Sequence, residues 1–415
     1  MRVDILVLGA GAVGTATALQ LQRRGMQVAL VDRRDPGEET SFGNAGLIER
    51  STIEPYGFPR SLRKLARYAF NNRSDMRYDL THLPRIAPWL ARYWWHSAPG
   101  RLAASAAALR PLIAASLSTH QELAELSDAQ PLFRKTGWIE LTQSPAAAAE
   151  AKTSMERRRV HGVTGVLLGR DALAALEPAL SPRVEGAVHW LDPWSVSDPG
   201  ALVKAHAAAF VKLGGSLLRG DAATVRQENG NWRVTTEGGD VTASQVVVAL
   251  GPWSGAFARR LGYRVPMAIK RGYHMHYALD DGAEIRHTIL DEEGGYVLAP
   301  MARGLRLTTG AEFAPFDAPA NTIQLDRAER IARRLVPSLG RRLDPAPWLG
   351  RRPCLPDMRP IIGPAPRHDG LWFSFGHAHH GLTLGPVSGL LLSQMIAGDA
   401  PMTDPTPFGI ERFDS

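Results

Sequence analysis

At 415 residues and 45.1 kDa the chain is long enough for two or three domains with a large core, and 44% hydrophobic against 21% charged residues excludes both wholesale disorder and collagen-like order. One cysteine, Cys354, excludes an internal disulfide and any thiolate zinc or iron–sulfur centre, and favours a reducing compartment, the cytoplasm. The excess of 48 basic over 41 acidic side chains raises nucleic acid, an acidic membrane surface or an anionic substrate as partners; 42 of the 48 are arginines scattered along the chain, the pattern of a solvated surface rather than a nucleic-acid site.

From the amino terminus, Ile5 to Gln22 carries no charge and superficially resembles a signal segment. Asp4 and three interrupting glycines speak against that, the run is too short for a membrane helix, and no later stretch is expected to span a membrane. Val3 to Leu8 reads as a buried strand that leads into Gly9-Ala10-Gly11-Ala12-Val13-Gly14 and then a helix over Thr15 to Arg24. Gly9 permits the tight turn, Gly11 admits a pyrophosphate close to the backbone, and Gly14 lets the helix lie close to the strand. The helix amino end supplies partial positive charge. A second strand, Gln27 to Val31, ends at Asp32, 21 positions beyond Gly11 and placed to accept ribose hydroxyls. The acid favours FAD or NAD over NADP; the neighbouring Arg33 and Arg34 soften that inference.

A polar turn, Ser41-Phe42-Gly43-Asn44-Ala45-Gly46-Leu47, follows. Residues 60–110 alternate helical runs with prolines and are rich in arginine and aromatics, so they read as a helical insertion that either packs on its own domain or lies on an acidic membrane. Asp198-Pro199 has the form of a helix N-cap opening Gly200 to Leu213, and Gln245 to Leu250 is a buried-type strand ending at Gly251-Pro252-Trp253. Lys270 to Tyr277 alternates with a period of two, which sets His274 and His276 on one strand face. A metal is one reading of that pair, but no third ligand follows from spacing, and a structural or pocket-lining role is expected. Tyr296 starts the next strand. Gly350-Arg351-Arg352-Pro353 and His377-Ala378-His379-His380-Gly381-Leu382-Thr383 close the series.

Taken together, these motifs resemble, over essentially the whole chain, the D-amino-acid oxidase-like family of FAD-dependent amine oxidoreductases, and within it the small bacterial D-amino-acid dehydrogenases. The resemblance implies an α/β fold: a Rossmann-type FAD-binding domain (1–60, 195–262 and 345–415) with a discontinuous α+β substrate domain on a mixed or antiparallel sheet (61–194 and 263–344). It implies non-covalent FAD held by Gly9, Ala10, Gly11, Val13, Gly14, Asp32, Arg33, Ser41, Asn44, Ala45, Gly46, Leu47, Gly251, Trp253, Gly381, Leu382 and Thr383. Arg352 and Tyr296 are the implied anchors of a substrate carboxylate, Tyr273, His379 and His380 the implied pocket residues, and no metal is expected.

The activity implied is oxidation of a D-amino or cyclic D-imino acid, such as D-proline or cis-4-hydroxy-D-proline, by hydride transfer from Cα to flavin N5. A quinone-type acceptor would take the electrons, with peripheral contact on the cytoplasmic face of the inner membrane. An O₂-using oxidase of glycine, sarcosine or D-amino acids is the rival enzyme. A basic nucleic-acid- or membrane-binding protein on a nucleotide-fold scaffold is the rival of another class.

Overall fold

The computed structural model describes residues 1–51 and 54–413. The strand expected at the amino terminus is Arg2–Leu8, and it lies at the centre of a sheet because its Ile5–Leu8 face is apolar on both sides. Ser216–Arg219, Val28–Asp32, Arg2–Leu8, Gly239–Val248 and Leu371–Phe375 run parallel in that order. Ile361–Pro364 pairs antiparallel at one edge, and a hairpin, Arg226–Glu228 with Asn231–Thr236, pairs with the first half of Gly239–Val248.

Helices Ala12–Arg23, Pro199–Lys212 and Gly381–Ala397 cover one face of this sheet. The N-cap expected at Asp198 is present, its Oδ1 accepting from the Ala201 amide at 2.9 Å. The first and last helices cross closely. A Cβ on Gly385 would meet the Ala12 carbonyl oxygen at 3.0 Å, and one on Gly389 would meet the Thr17 backbone at 2.9 Å, while Gly14 lies against the glycine loop itself, where a Cβ would stand 1.8 Å from the Gly9 carbonyl.

The second sheet is mixed and mostly antiparallel. Its central strand, Ala268–Leu279, pairs with Gly304–Thr309 and with Trp348–Cys354, and Tyr296–Met301 continues beyond Gly304–Thr309. Helix Ile323–Leu335 buries Leu325, Ala328, Ala332 and Leu335 against one face of this sheet. The opposite face looks toward the first sheet.

Three expectations change here. Trp348–Cys354 belongs to the second sheet, so the domain boundary drawn at 345 falls near 355. The 28-residue helix Pro99–Leu126 begins inside the region read as an insertion on the substrate domain, yet it places Leu109, Leu112, Ile113 and Leu123 in the core of the nucleotide-binding half. That helix is also long and apolar enough to cross a membrane by composition, contrary to the expectation that no later stretch would be; its apolar side chains are instead shared with Leu19, Phe210 and Leu391. In the remaining part of that region, Trp89 and Tyr93 are buried, whereas Trp94 and Trp95 are exposed beneath Arg60 and Arg101 at 4.2 and 3.8 Å.

Candidate active site

Between the two sheets lies a cavity of about 1000 Å³ that runs from the first glycine loop to the second sheet. At one end the first strand stops at Leu8 and the chain turns through Gly9 into the helix at Ala12. The Ala12 amide donates to Ser41 Oγ at 2.9 Å, which ties the polar turn to the helix amino end. Gly11 faces the cavity, and a Cβ there would meet only Ser41 Oγ, at 3.3 Å. The space beyond it is open, as a phosphate cradle requires. Asp32 ends the second strand, accepting from the Ala10 amide at 2.6 Å and the Arg34 amide at 3.0 Å. Arg33 lies 4.4 Å over the Trp253 ring, and both line the cavity.

The last helix also points its amino end into this space. His380 is its N-cap without a side-chain cap bond, and the amides of Gly381, Leu382 and Thr383 have no intrahelical acceptor. Buried His120 fixes that end through Nε2 to the Leu382 carbonyl at 2.9 Å, and Thr383 Oγ1 links it to the Leu47 carbonyl and the Glu49 amide. Two helix amino ends and an acid thus converge on one elongated cavity, the donor set that a dinucleotide requires. Of the expected cofactor residues, Ala10, Gly14 and Gly46 stand behind the wall; Gly46 has φ +77°, with the Val196 carbonyl 2.4 Å from where a Cβ would be.

At the other end Arg352 enters from Trp348–Cys354. Its guanidinium lies across Gly272, where a Cβ would stand 2.6 Å away, and it donates to the Gly310 and Thr309 carbonyls at 2.9 and 3.2 Å. Burial lowers its pKa, and no carboxylate is among the charges acting on it. His379 and His380 flank the same space, their rings 3.9 Å apart. Burial holds His380 near pKa 4. His379 is pushed well below the usual imidazole range, first by burial and then by the neighbouring His380, Arg352 and Lys270, of which only the last two carry charge at pH 7. Both are neutral at pH 7.

The two expected tyrosines are placed differently. In the ladder Arg352 pairs with Lys270 and Gly350 with Gly272, so Tyr273 projects from the opposite face. Its hydroxyl donates to Glu312 at 2.6 Å and accepts from Arg271 and the Asn321 amide, which leaves it committed to structure. Tyr296 pairs with Thr309 and packs with Met275, Tyr277 and Leu298 under the helix Ile323–Leu335. Its hydroxyl adjoins Asp291, and burial with that negative charge raises its pKa. As groups aimed at substrate, Tyr273 and Tyr296 are therefore withdrawn; both touch the cavity wall, but their hydroxyls lie behind the sheet. The period-two alternation over Lys270 to Tyr277 carries this parity.

The His274–His276 pair serves neither substrate nor an evident ion. His276 Nδ1 lies 2.7 Å from Asp344, and its Nε2 accepts from Arg306 Nε at 3.0 Å. Asp344 is the third potential ligand that spacing did not supply, but the buried guanidinium of Arg306 beside it opposes a cation. His274 stacks on Trp348 at 4.9 Å. Arg306, missed in the sequence because no motif surrounds it, donates to the Phe42 and Asn44 carbonyls at 3.1 and 2.6 Å. It thereby clamps the Ser41–Gly46 turn against the second sheet. Cys354 is buried with Trp89, Tyr93 and Met358, and does not line the cavity. Lys270 and Tyr56, also missed, do line it.

A dinucleotide cradle opening directly onto a cationic pocket with aromatic walls is the arrangement of a dinucleotide-dependent oxidoreductase. The chain belongs to the FAD dependent oxidoreductase (DAO) family, whose pattern matches residues 4–395, and FAD is its cofactor. It is similar to a D-amino-acid oxidase of Bradyrhizobium diazoefficiens, 29% identical over 99% of this chain and 98% of that protein. It is similar also to a D-amino acid dehydrogenase of Chromohalobacter salexigens, 27% identical over 99% and 100%. Among solved structures, glycine oxidase from Geobacillus kaustophilus shares the fold with a TM-score of 0.75 at 22% identity, covering 99% of this chain and 98% of that one. L-proline dehydrogenase from P. horikoshii does so with 0.74 at 19%, covering 100% and 98%.

Proposed function

We propose that the chain is an FAD-dependent dehydrogenase of D-amino acids. The observation that carries this reading is Arg352: a guanidinium that faces the cavity, without a carboxylate partner among the described residues, at the end remote from the nucleotide cradle. A planar fork of this kind grips an α-carboxylate through two charge-assisted hydrogen bonds, which fixes both position and orientation. The relatives named D-amino-acid oxidase and D-amino acid dehydrogenase support the same substrate class.

FAD, when bound, supplies the acceptor for the hydride that leaves Cα. The protein's part is placement and electrostatics. Arg352 takes the carboxylate, and Gly272 gives its guanidinium room to lie flat on the sheet. His379 and His380, held neutral, add no positive charge beside the substrate amine, which must itself be uncharged to give up hydride. Aromatic walls from Phe58 and Tyr93 limit water at the reacting carbon. Water hydrolyses the imine product to a 2-oxo acid and ammonia.

A quinone-type acceptor and peripheral contact with the inner membrane complete the reading, supported by the exposed Leu62, Phe70, Trp94 and Trp95 interleaved with arginines. The relative named as an oxidase favours O₂ as the second reading. The test is anaerobic mixing of the yellow holoenzyme with D- and L-amino acids. D-amino acids should bleach the flavin, and dyes or quinone should reoxidise it much faster than O₂. Rapid stoichiometric hydrogen peroxide in air would make it an oxidase, and bleaching by L-amino acids alone would overturn the D-assignment.

A further inference from the structure

Lys270 stands directly across from Arg352 in the antiparallel ladder of Ala268–Leu279 and Trp348–Cys354. Facing partners in such a ladder send their side chains from the same side of the sheet, so both enter the cavity. They then diverge. The guanidinium folds over Gly272 toward the Thr309 and Gly310 carbonyls. The ammonium turns toward helix Leu83–His96, where it lies 4.3 Å from the Tyr93 ring centroid, 5.6 Å from Trp89 and 5.9 Å from Phe313.

Among the described residues no carboxylate forms an ion pair with Lys270 or with Arg352. Both act on His379, and no acid is among the groups that do so. The wall beside them is apolar and aromatic, with Phe58, Leu90, Tyr93, Phe313 and Met358, and the cavity lining also includes the acids Glu49, Asp75 and Glu292. Aromatic faces compensate an ammonium only in part. A substrate whose α-carboxylate pairs with Arg352 leaves the second charge unmatched. A neutral side chain laid over Lys270 would strip water from the ammonium and return no acceptor, so it is selected against; a carboxylate restores what water gave.

We propose that the cavity selects dicarboxylic D-amino acids, with Lys270 as the specificity-determining cation for the side-chain carboxylate of substrates such as D-glutamate or D-aspartate. This rests on the assignment of Arg352 to the α-carboxylate. Its consequence is a preference set by charge rather than by size, because the aromatic wall would accept an uncharged chain of equal length were the ammonium absent.

The experiment uses the FAD-loaded enzyme, with D-glutamate against D-norvaline as substrates and glutarate against pentanoate as unreactive probes, the latter followed by the change in flavin absorbance. D-Glutamate should exceed D-norvaline in kcat/KM by about tenfold or more, the scale of a hydrogen bond to a charged group, and glutarate should bind tighter than pentanoate by a similar factor. In Lys270→Met both ratios should collapse toward one, and Lys270→Arg should restore them. Unchanged ratios in Lys270→Met, or a wild-type preference for D-norvaline and pentanoate, would overturn the proposal while leaving the D-amino-acid reading intact. If no D-amino acid, acidic or neutral, reduces the flavin, it is that reading that fails, whereas the glutarate-to-pentanoate ratio still reports on Lys270.

Discussion

Arg352 is the residue on which the substrate assignment turns, and its chemistry makes the assignment testable. Replacing it with lysine keeps the charge but loses the fork, and a single ammonium cannot reproduce two parallel donors while also holding the Thr309 and Gly310 carbonyls. For Arg352→Lys, kcat/KM on a D-amino acid should fall on the order of 10²-fold, about 1.5–3 kcal/mol plus misorientation. The flavin spectrum should survive, because the residue lies away from the nucleotide cradle. An amine lacking the carboxylate serves as the control; an equal fall for both substrates would remove the arginine as anchor. This residue was legible because Gly-x-Arg-Pro is a compact motif. Tyr296 and Tyr273 show the limit of such reading: a motif gives a position along the strand, but strand parity and the competing hydroxyl partners, Asp291, Glu312 and Arg271, decide which face the side chain takes.

Among elements, the two helices that end at the cavity do most to define the cofactor site. Their amino ends are brought together by the close crossing at Gly385 and Gly389, and both ends face the same space. Gly11→Val should therefore produce folded apoprotein. The backbone there, φ −78°, ψ −177°, suits any residue, so the cost falls on the cradle and leaves the fold intact. The ratio of flavin to protein absorbance after purification should drop to near zero while far-ultraviolet circular dichroism is kept; full flavin content would contradict the cradle. The first helix, its glycines and Asp32 were readable because they are local in sequence. The Arg306–His276–Asp344 cluster that clamps the Ser41–Gly46 turn was not, since its members lie on separate strands and loops that only sheet pairing unites.

At the scale of the whole molecule, the chain buries several neutral imidazoles. Burial depresses His120 to about 4, His206 to about 3 and His377 to about 3, against an ordinary value near 6.5. With the folded pKa below the unfolded one, the unfolded chain takes up protons first. Stability is then complete above about pH 6.5 and is lost as pH falls toward 4. At pH 5 each such histidine should cost roughly 1–2 kcal/mol. Urea unfolding followed by tryptophan fluorescence should show a clearly lower midpoint at pH 5 than at pH 7.5. His206→Leu should narrow that gap by one histidine's share; a gap of unchanged width would exclude His206 as a contributor.

The sequence by itself determined the features that repeat over a few residues: the strand–glycine loop–helix cradle, the acid ending the second strand, the Asp198 cap, and the arginine of the closing motif. Each follows from local backbone geometry or side-chain chemistry and needs no distant partner. Tertiary structure decided what depends on long-range pairing. It assigned Trp348–Cys354 to the second sheet, turned both tyrosines behind it, and folded the apolar helix Pro99–Leu126 into the nucleotide-binding core. It also set Lys270 across from Arg352, 82 positions away in the chain. The reason is physical: side-chain direction on a strand alternates with single-residue register, and register is fixed by hydrogen bonds to strands far away in sequence, which no local pattern encodes.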